Sequence, residues 1–124
     1  MEENSNLKEQ LKEIDETIVK LQKDIKIGEA LEALHTNEDF ILVFLEGYFD
    51  AEEKRISGLL FNPTSLKRDQ IENIMDKAAA IRNTKQYIAT LLINANMAPE
   101  QIDENEAYRK QVTASMTIDV EVEE

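Results

Sequence analysis

Near the start of the chain, apolar residues recur at alternating intervals of four and three: Leu7, Leu11, Ile14, Ile18, Leu21 and Ile25. That spacing keeps one stripe of a helix apolar and predicts a helix from about Ser5 to Ile27. Lys8, Glu9, Lys12, Glu13, Glu16, Lys20 and Lys23 occupy the other faces with both charge signs mixed, as on a coiled-coil strand lapped by solvent. So narrow a stripe requires a second helix against it. The candidate follows the turn Asn62-Pro63-Thr64-Ser65, where Ser65 reads as an N-cap. From there Ile71, Ile74, Ala78, Ile81, Ile88, Leu92 and Ala95 repeat the alternation to about Asn96, and only Lys85 interrupts it. The two are expected to pack as an antiparallel pair, as in helical hairpins and small bundles. The alternative left open is that each stripe pairs with its own copy in another subunit.

Between the long helices the pattern changes. Gly28 is expected to loosen or end the first helix, with Leu31 and Leu34 continuing an apolar side beyond it. Thr36-Asn37-Glu38-Asp39 reads as a helix start, because Thr36 or Asn37 can accept backbone donors and acids are favoured at the positive helix end. The helix it opens, Phe40 to Phe49, is apolar almost all round and must be covered on more than one side. Asp50 and Glu53 have capping-box spacing and begin a further short helix through Ile56, Leu59, Leu60 and Phe61. Two short helices are thus expected to fill the open end of the pair.

The C-terminal part reads differently. Ala98-Pro99-Glu100 is expected to close the long helix, and Asp103-Glu-Asn-Glu106 to form a polar connector with at most one short helix reaching Tyr108. From Val112 the residues alternate: Val112, Ala114, Met116, Ile118, Val120 and Val122 on one face, and Thr113, Ser115, Thr117, Asp119, Glu121 and Glu123 on the other. This is the pattern of a half-buried β-strand. A strand needs hydrogen-bonded neighbours, and the only rival segment, Phe40 to Leu45, sits among helix-start signals. The six apolar residues are therefore candidate partner-binding residues, forming a strand that adds to the sheet of another chain, a self-copy included. The competing reading is an acidic tail without fixed structure. The fold expected is mainly α: an antiparallel long-helix pair with two short helices between, and a C-terminal strand or extended tail. Residues 1–97 form a helical domain, and 98–124 an acidic connector and tail.

Length and composition sharpen this only in places. The chain has 124 residues, enough for one modest core, and no cysteine, which excludes disulfides, thiol catalysis and cysteine-ligated metal and agrees with a reducing compartment. The longest apolar run, Phe40 to Leu45, is far short of the roughly 20 residues that span a bilayer, and Met1-Glu2-Glu3-Asn4 carries no secretory signal. The net charge of −12 opposes direct nucleic-acid binding. It is uneven: residues 28–61 hold eight acids and two bases, 98–124 again eight and two, and 62–97 five bases and three acids. The acidic ends either steer toward a basic partner or simply keep the surface solvated.

Catalytic chemistry fails on inventory. His35 is the only histidine, and no nucleophile elbow is present. Glu32-Ala-Leu-His35 has the spacing of a di-iron bundle motif, which needs a second copy and two further glutamates. His35 therefore reads as a helix-end residue. Asp103, Glu104 and Glu106 lack the glycine-bearing loop of a calcium site, and Gly28, Gly47 and Gly58 are too scattered to cradle phosphate. No enzyme activity, cofactor or metal is expected.

Ile27-Gly-Glu-Ala-Leu-Glu-Ala-Leu34, Asn37-Glu-Asp-Phe40 and Leu45-Glu-Gly-Tyr-Phe49, with Ala80-Ile-Arg82 and Tyr87 downstream, resemble small helical proteins encoded among the virion and packaging genes of tailed bacteriophages. The resemblance covers residues 27 to about 92. It implies a noncatalytic role in building the phage particle, as a scaffold, chaperone or head and connector accessory, acting in the host cytoplasm and either leaving or staying in the virion. Its partners are then other phage structural proteins or further copies of itself. The alternatives carried forward are a prefoldin-like coiled-coil holdase and an acidic inhibitor of a host protein. Phe40, Phe44, Tyr48 and Phe49 suit either a packed core, the simpler reading in so small a protein, or anchors on an interface.

Overall fold

The computed structural model describes the backbone of residues 2–123 and the side chains of residues 4–62 and 64–117. It is almost entirely helical, with no strand among the described residues. Helix α1 spans Glu2–His35 and α2 Glu38–Phe40; a π-helix covers Ile41–Glu52, α3 Glu53–Phe61, a 3-10 turn Pro63–Ser65, and α4 Arg68–Glu123. The chain divides into two compact units: a paired unit, Met1–Gly28 with Ile93–Glu124, and a central unit, Glu29–Leu92.

In the paired unit the two helices run antiparallel within one chain. Tyr108 Oη donates to Gln10 Oε1 at 3.4 Å, Arg109 Nε donates to Asp15 Oδ1 at 2.9 Å, and Gly28 lies against Ala95. On α1, Ile14, Leu21 and Gly28 are buried and Leu7, Leu11, Ile18 and Ile25 half-buried, so the expected stripe is the packed one. On α4, Ala98 and Val112 are buried, and Ala95, Ile102 and Met116 half-buried. The facing stripe is therefore Ala95 to Met116, downstream of the expected Ile71 to Ala95, because α4 does not stop where a stop was expected.

The expected end at Ala98-Pro99 is corrected: Pro99 lies inside α4. A proline there removes one backbone hydrogen bond and crowds the carbonyl four residues back, at about 3 kcal/mol. The stripe continues beyond it through Ile102, Val112 and Met116, and burying each large apolar side chain returns roughly 1.5–3 kcal/mol. Helix continuation wins on that comparison. The connector at Asp103 to Glu106 is helical for the same reason, with Asn105 Nδ2 donating to the Gln101 carbonyl at 2.7 Å.

The strand expected from Val112 onward is corrected to helix, which runs to Glu123. A lone strand has no partner for its backbone groups, whereas a helix satisfies them internally. The polar half of the alternation also fits a helix: the hydroxyls of Thr113, Ser115 and Thr117 each donate to the carbonyl four residues back, at 2.9, 3.0 and 3.1 Å.

Gly28, expected to loosen or end the first helix, is interior to α1. A Cβ at that position would collide with the Ala95 Cβ, so glycine serves close approach of the two helices rather than termination. Helix α1 ends seven residues later, where Thr36 Oγ1 donates to the Ala33 carbonyl at 3.0 Å and the His35 Nδ1 lies 2.7 Å from the Leu31 carbonyl.

In the central unit Asn37 is the N-cap of α2, its Oδ1 accepting from the Phe40 N–H at 3.0 Å. No break follows at Asp50: the expected capping box straddles the junction of the π-helix with α3, Asp50 in the first and Glu53 opening the second, and Asp50 pairs with Lys54 at 3.1 Å. Ser65 sits in the 3-10 turn, and the start of α4 is set instead by Gln70, whose Oε1 accepts from the Lys67 N–H at 2.9 Å. Ile56 on α3 and Ile81 on α4 are the most deeply buried side chains of this unit, each 2% exposed.

Candidate protein-docking surface

Among the described residues the paired unit exposes four large apolar side chains, Val19, Ile93, Met97 and Tyr108, and the central unit eight. The cause lies in its sequence: six successive apolar residues, Phe40 to Leu45, send side chains all round the helix, and few neighbouring helices are present to cover them. Leu42 and Val43 are 64% and 59% exposed, and Phe44 nearly half exposed. The segment is wound as a π-helix, a form usually confined to a single turn and often found at functional positions. Phe40 stacks on Phe44, with centroids 5.2 Å apart and planes inclined at 27°, and the His35 ring leans on Phe40 at 5.8 Å. Ring stacking thus holds Phe40 in place, while Leu42 and Val43 remain in solvent.

Beside this segment lies an open groove of about 510 Å³, lined by Val43, Phe44, Tyr48, Ile56, Lys77 and Ile81 among others. Its floor is Ile56 and Ile81. Its polar rim includes Glu52, gripped by Arg55 through two hydrogen bonds, Nε to Oε2 at 3.0 Å and Nη2 to Oε1 at 2.5 Å. Arg55 holds the Glu52 carboxyl below its ordinary value, with Lys77 adding to the effect, and Glu52 in turn raises the Arg55 guanidinium. The rim acid is therefore ionised at neutral pH and engaged locally.

A second groove, of about 610 Å³, runs between α3 and α4 and is lined by Glu53, Ile56, Leu60, Met75, Arg82 and Lys85 among others. Lys85, whose position broke the apolar alternation, is exposed and donates to Glu53. Both grooves are apolar hollows with charged edges. Among the described residues no group of acids and histidine is placed to hold a metal ion, and no helix is long and apolar enough to cross a membrane.

Of the residues expected to bind a partner, the three described ones do not share one exposed face. Val112, 4% exposed, is buried in the paired unit, Met116 is half-buried one turn on, and Ala114 faces solvent. The side chains of Ile118, Val120 and Val122 lie outside the described residues. Of the aromatics weighed between core and interface, Phe40, Tyr48 and Phe49 are half-buried and Phe44 is exposed on the groove. Leu42 and Val43 were not singled out from sequence. The signal that could have found them is arithmetic: an all-round apolar helix in a chain with so few helices has faces left over. Comparison with protein-family models, curated proteins and solved structures gives no match.

Proposed function

We propose that this chain is a noncatalytic protein-docking factor that takes part in assembling a tailed-phage particle in the host cytoplasm, binding other structural proteins of the particle through the central unit. The observation that carries the reading is the solvent-exposed row Leu42, Val43 and Phe44 beside a groove floored by Ile56 and Ile81. Contiguous exposed apolar surface of this kind is characteristic of interaction sites. The unit that bears it, Glu29–Leu92, nearly coincides with the stretch resembling phage virion and packaging proteins. The groove suits a helix or loop that presents an apolar anchor, with Lys77 and Glu52 positioned to fix its register.

The test is genetic and structural together. In the phage encoding the chain, an amber mutation early in the gene should leave incomplete or unassembled particles by electron microscopy, and the wild-type gene supplied from a plasmid should restore them. Leu42→Gln with Val43→Gln should retain helicity yet fail to restore particles. Normal particle yield without the gene overturns the assembly role. Suppression of aggregation of unrelated unfolded clients by the wild-type chain, abolished by the same double variant, would instead favour the holdase reading.

A further inference from the structure

The two outer faces of the paired unit carry opposite charge. On α1 the side turned away from the packed stripe presents Lys8, Lys12, Val19, Lys23 and Lys26, all exposed and aligned along the helix. On α4 the side turned away from Ala98 and Val112 presents Ile93, Met97, Glu100, Glu104 and Tyr108, at intervals of four, three, four and four. These two faces hold the large apolar side chains that this unit leaves in solvent, Val19 on the first and Ile93, Met97 and Tyr108 on the second. Lys8, Lys12, Glu100 and Glu104 have no ion-pair partner among the described residues, while Asp15 beside the lysines is taken by Arg109. Each face thus repels its own kind and complements the other. Because both are turned away from the helix pairing, one chain cannot bring its own two faces together.

The spacing agrees as well. Lys8, Lys12 and Val19 stand four and seven residues apart, and so, read in the reverse direction, do Glu104, Glu100 and Ile93. An antiparallel crossing in that register sets Lys8 beside Glu104, Lys12 beside Glu100 and Val19 on Ile93. Glu16 then falls by Asn96, so that along this line no acid is set against an acid. Met97 falls over a shallow hollow of about 540 Å³ on α1, whose apolar part is Leu11 and Val19. We infer that the lysine face of α1 docks antiparallel on residues 93–104 of α4 in a second copy of this chain. The contact is heterologous, and its repetition joins copies head to tail into a ring or an open chain. One helix on one helix is a small interface, so association is weak and concentration-dependent. This inference rests on the paired unit and does not depend on the Leu42 and Val43 surface.

Light scattering on the full chain, up to about 1 mM, tests it. The wild type should rise above the monomer mass of 14.2 kDa as concentration increases. Lys8→Glu with Lys12→Glu should weaken association at least about tenfold, the effect of losing about 1.4 kcal/mol, and Glu100→Lys with Glu104→Lys should do the same. All four positions are exposed, so both variants should keep the wild-type circular dichroism. Mixed in equal amounts the two variants should associate again, since each offers the face that the other's reversed face now fits. Both remain net acidic, so overall charge does not draw them together. Val19→Gln, which changes no charge, should give a smaller loss and decides the matter if either reversal unfolds. A monomer at every concentration overturns the inference. So does association that neither reversal nor Val19→Gln weakens, or a mixture of folded variants that stays monomeric.

Discussion

In the paired unit each apolar stripe meets another of the same width; in the central unit a helix that is apolar on every side meets too few neighbours. The first arrangement buries Ile14, Leu21, Ala98 and Val112 and leaves Val19, Ile93, Met97 and Tyr108 singly exposed among charged residues. The second buries Ile56 and Ile81 and leaves Leu42, Val43 and Phe61 in solvent, Phe61 at 91% exposed. The difference teaches that the two halves of the apolar inventory serve different ends. Heptad spacing limits an apolar surface to what one partner helix can cover, whereas an unspaced apolar run creates surplus surface, and surplus surface is available for recognition.

The comparison breaks most readily at its buried positions. Ile81→Asp in the central unit and Ile14→Asp in the paired unit each place an unpaired charge where there is no water, and each should cost more than about 4 kcal/mol, enough to unfold a domain this small. Loss of the helical circular dichroism signal at 25 °C is the readout, and retained helicity in either variant would show that its unit is not held together as described.

Pro99→Ala should act in the opposite direction. Restoring the missing hydrogen bond in α4 is expected to stabilise by up to about 3 kcal/mol, seen as a higher thermal midpoint. No gain would mean that the neighbourhood of Ala95 and Ala98 depends on the shape proline imposes.

Two glycines then separate the units more finely. Gly28→Ala should destabilise by about 1–3 kcal/mol, since the added methyl meets Ala95 across a tight helix contact. Gly58→Ala, in α3 with open space around its would-be Cβ, should stabilise by roughly 0.5–1 kcal/mol through helix propensity. Denaturant titration of both variants measures the contrast.

The smallest expected effect concerns Glu52. Arg55 holds its carboxyl below the ordinary 4.5, so the associated contribution to stability is present in full above that pH and is lost as pH falls through the lowered value. Side-chain NMR titration should show Glu52 protonating at lower pH than the carboxyls without a guanidinium partner, and Arg55→Gln should remove the difference.

Much of the helical pairing was legible in the sequence, and the failures share a cause. The stripe Leu7 to Ile25 packs as its spacing predicts, and Asn37 caps as its residue type predicts. Pro99 and the alternation from Val112 misled because both are local signals, while the deciding force was the continuing stripe Ile102, Val112 and Met116, whose burial depends on a helix nearly a whole chain length away in sequence. Alternation by two and recurrence by four also coincide at Val112 and Met116, so the same residues satisfy a strand face and a helix stripe. Gly28 failed likewise: glycine ends helices and also permits close approach, and only the position of Ala95 decides between them. For the docking surface, the apolar character of Phe40 to Leu45 was plain, but which of its faces stays uncovered depends on the π-helical winding and on where α3 and α4 lie, neither of which has a marker in the residues.

The short link between α3 and α4 has a practical consequence. Between Phe61 and Arg68 the chain is held only by a 3-10 turn, and Lys67 and Arg68 are exposed there. Trypsin should cut at this point before it cuts within the helices. The two fragments would each carry one member of the antiparallel pair, so what is now a pairing inside one molecule would become an encounter between two. A protein of this construction lends itself to being split into complementary halves whose reassembly depends on concentration, and the nicked protein should fall apart on dilution where the intact chain does not.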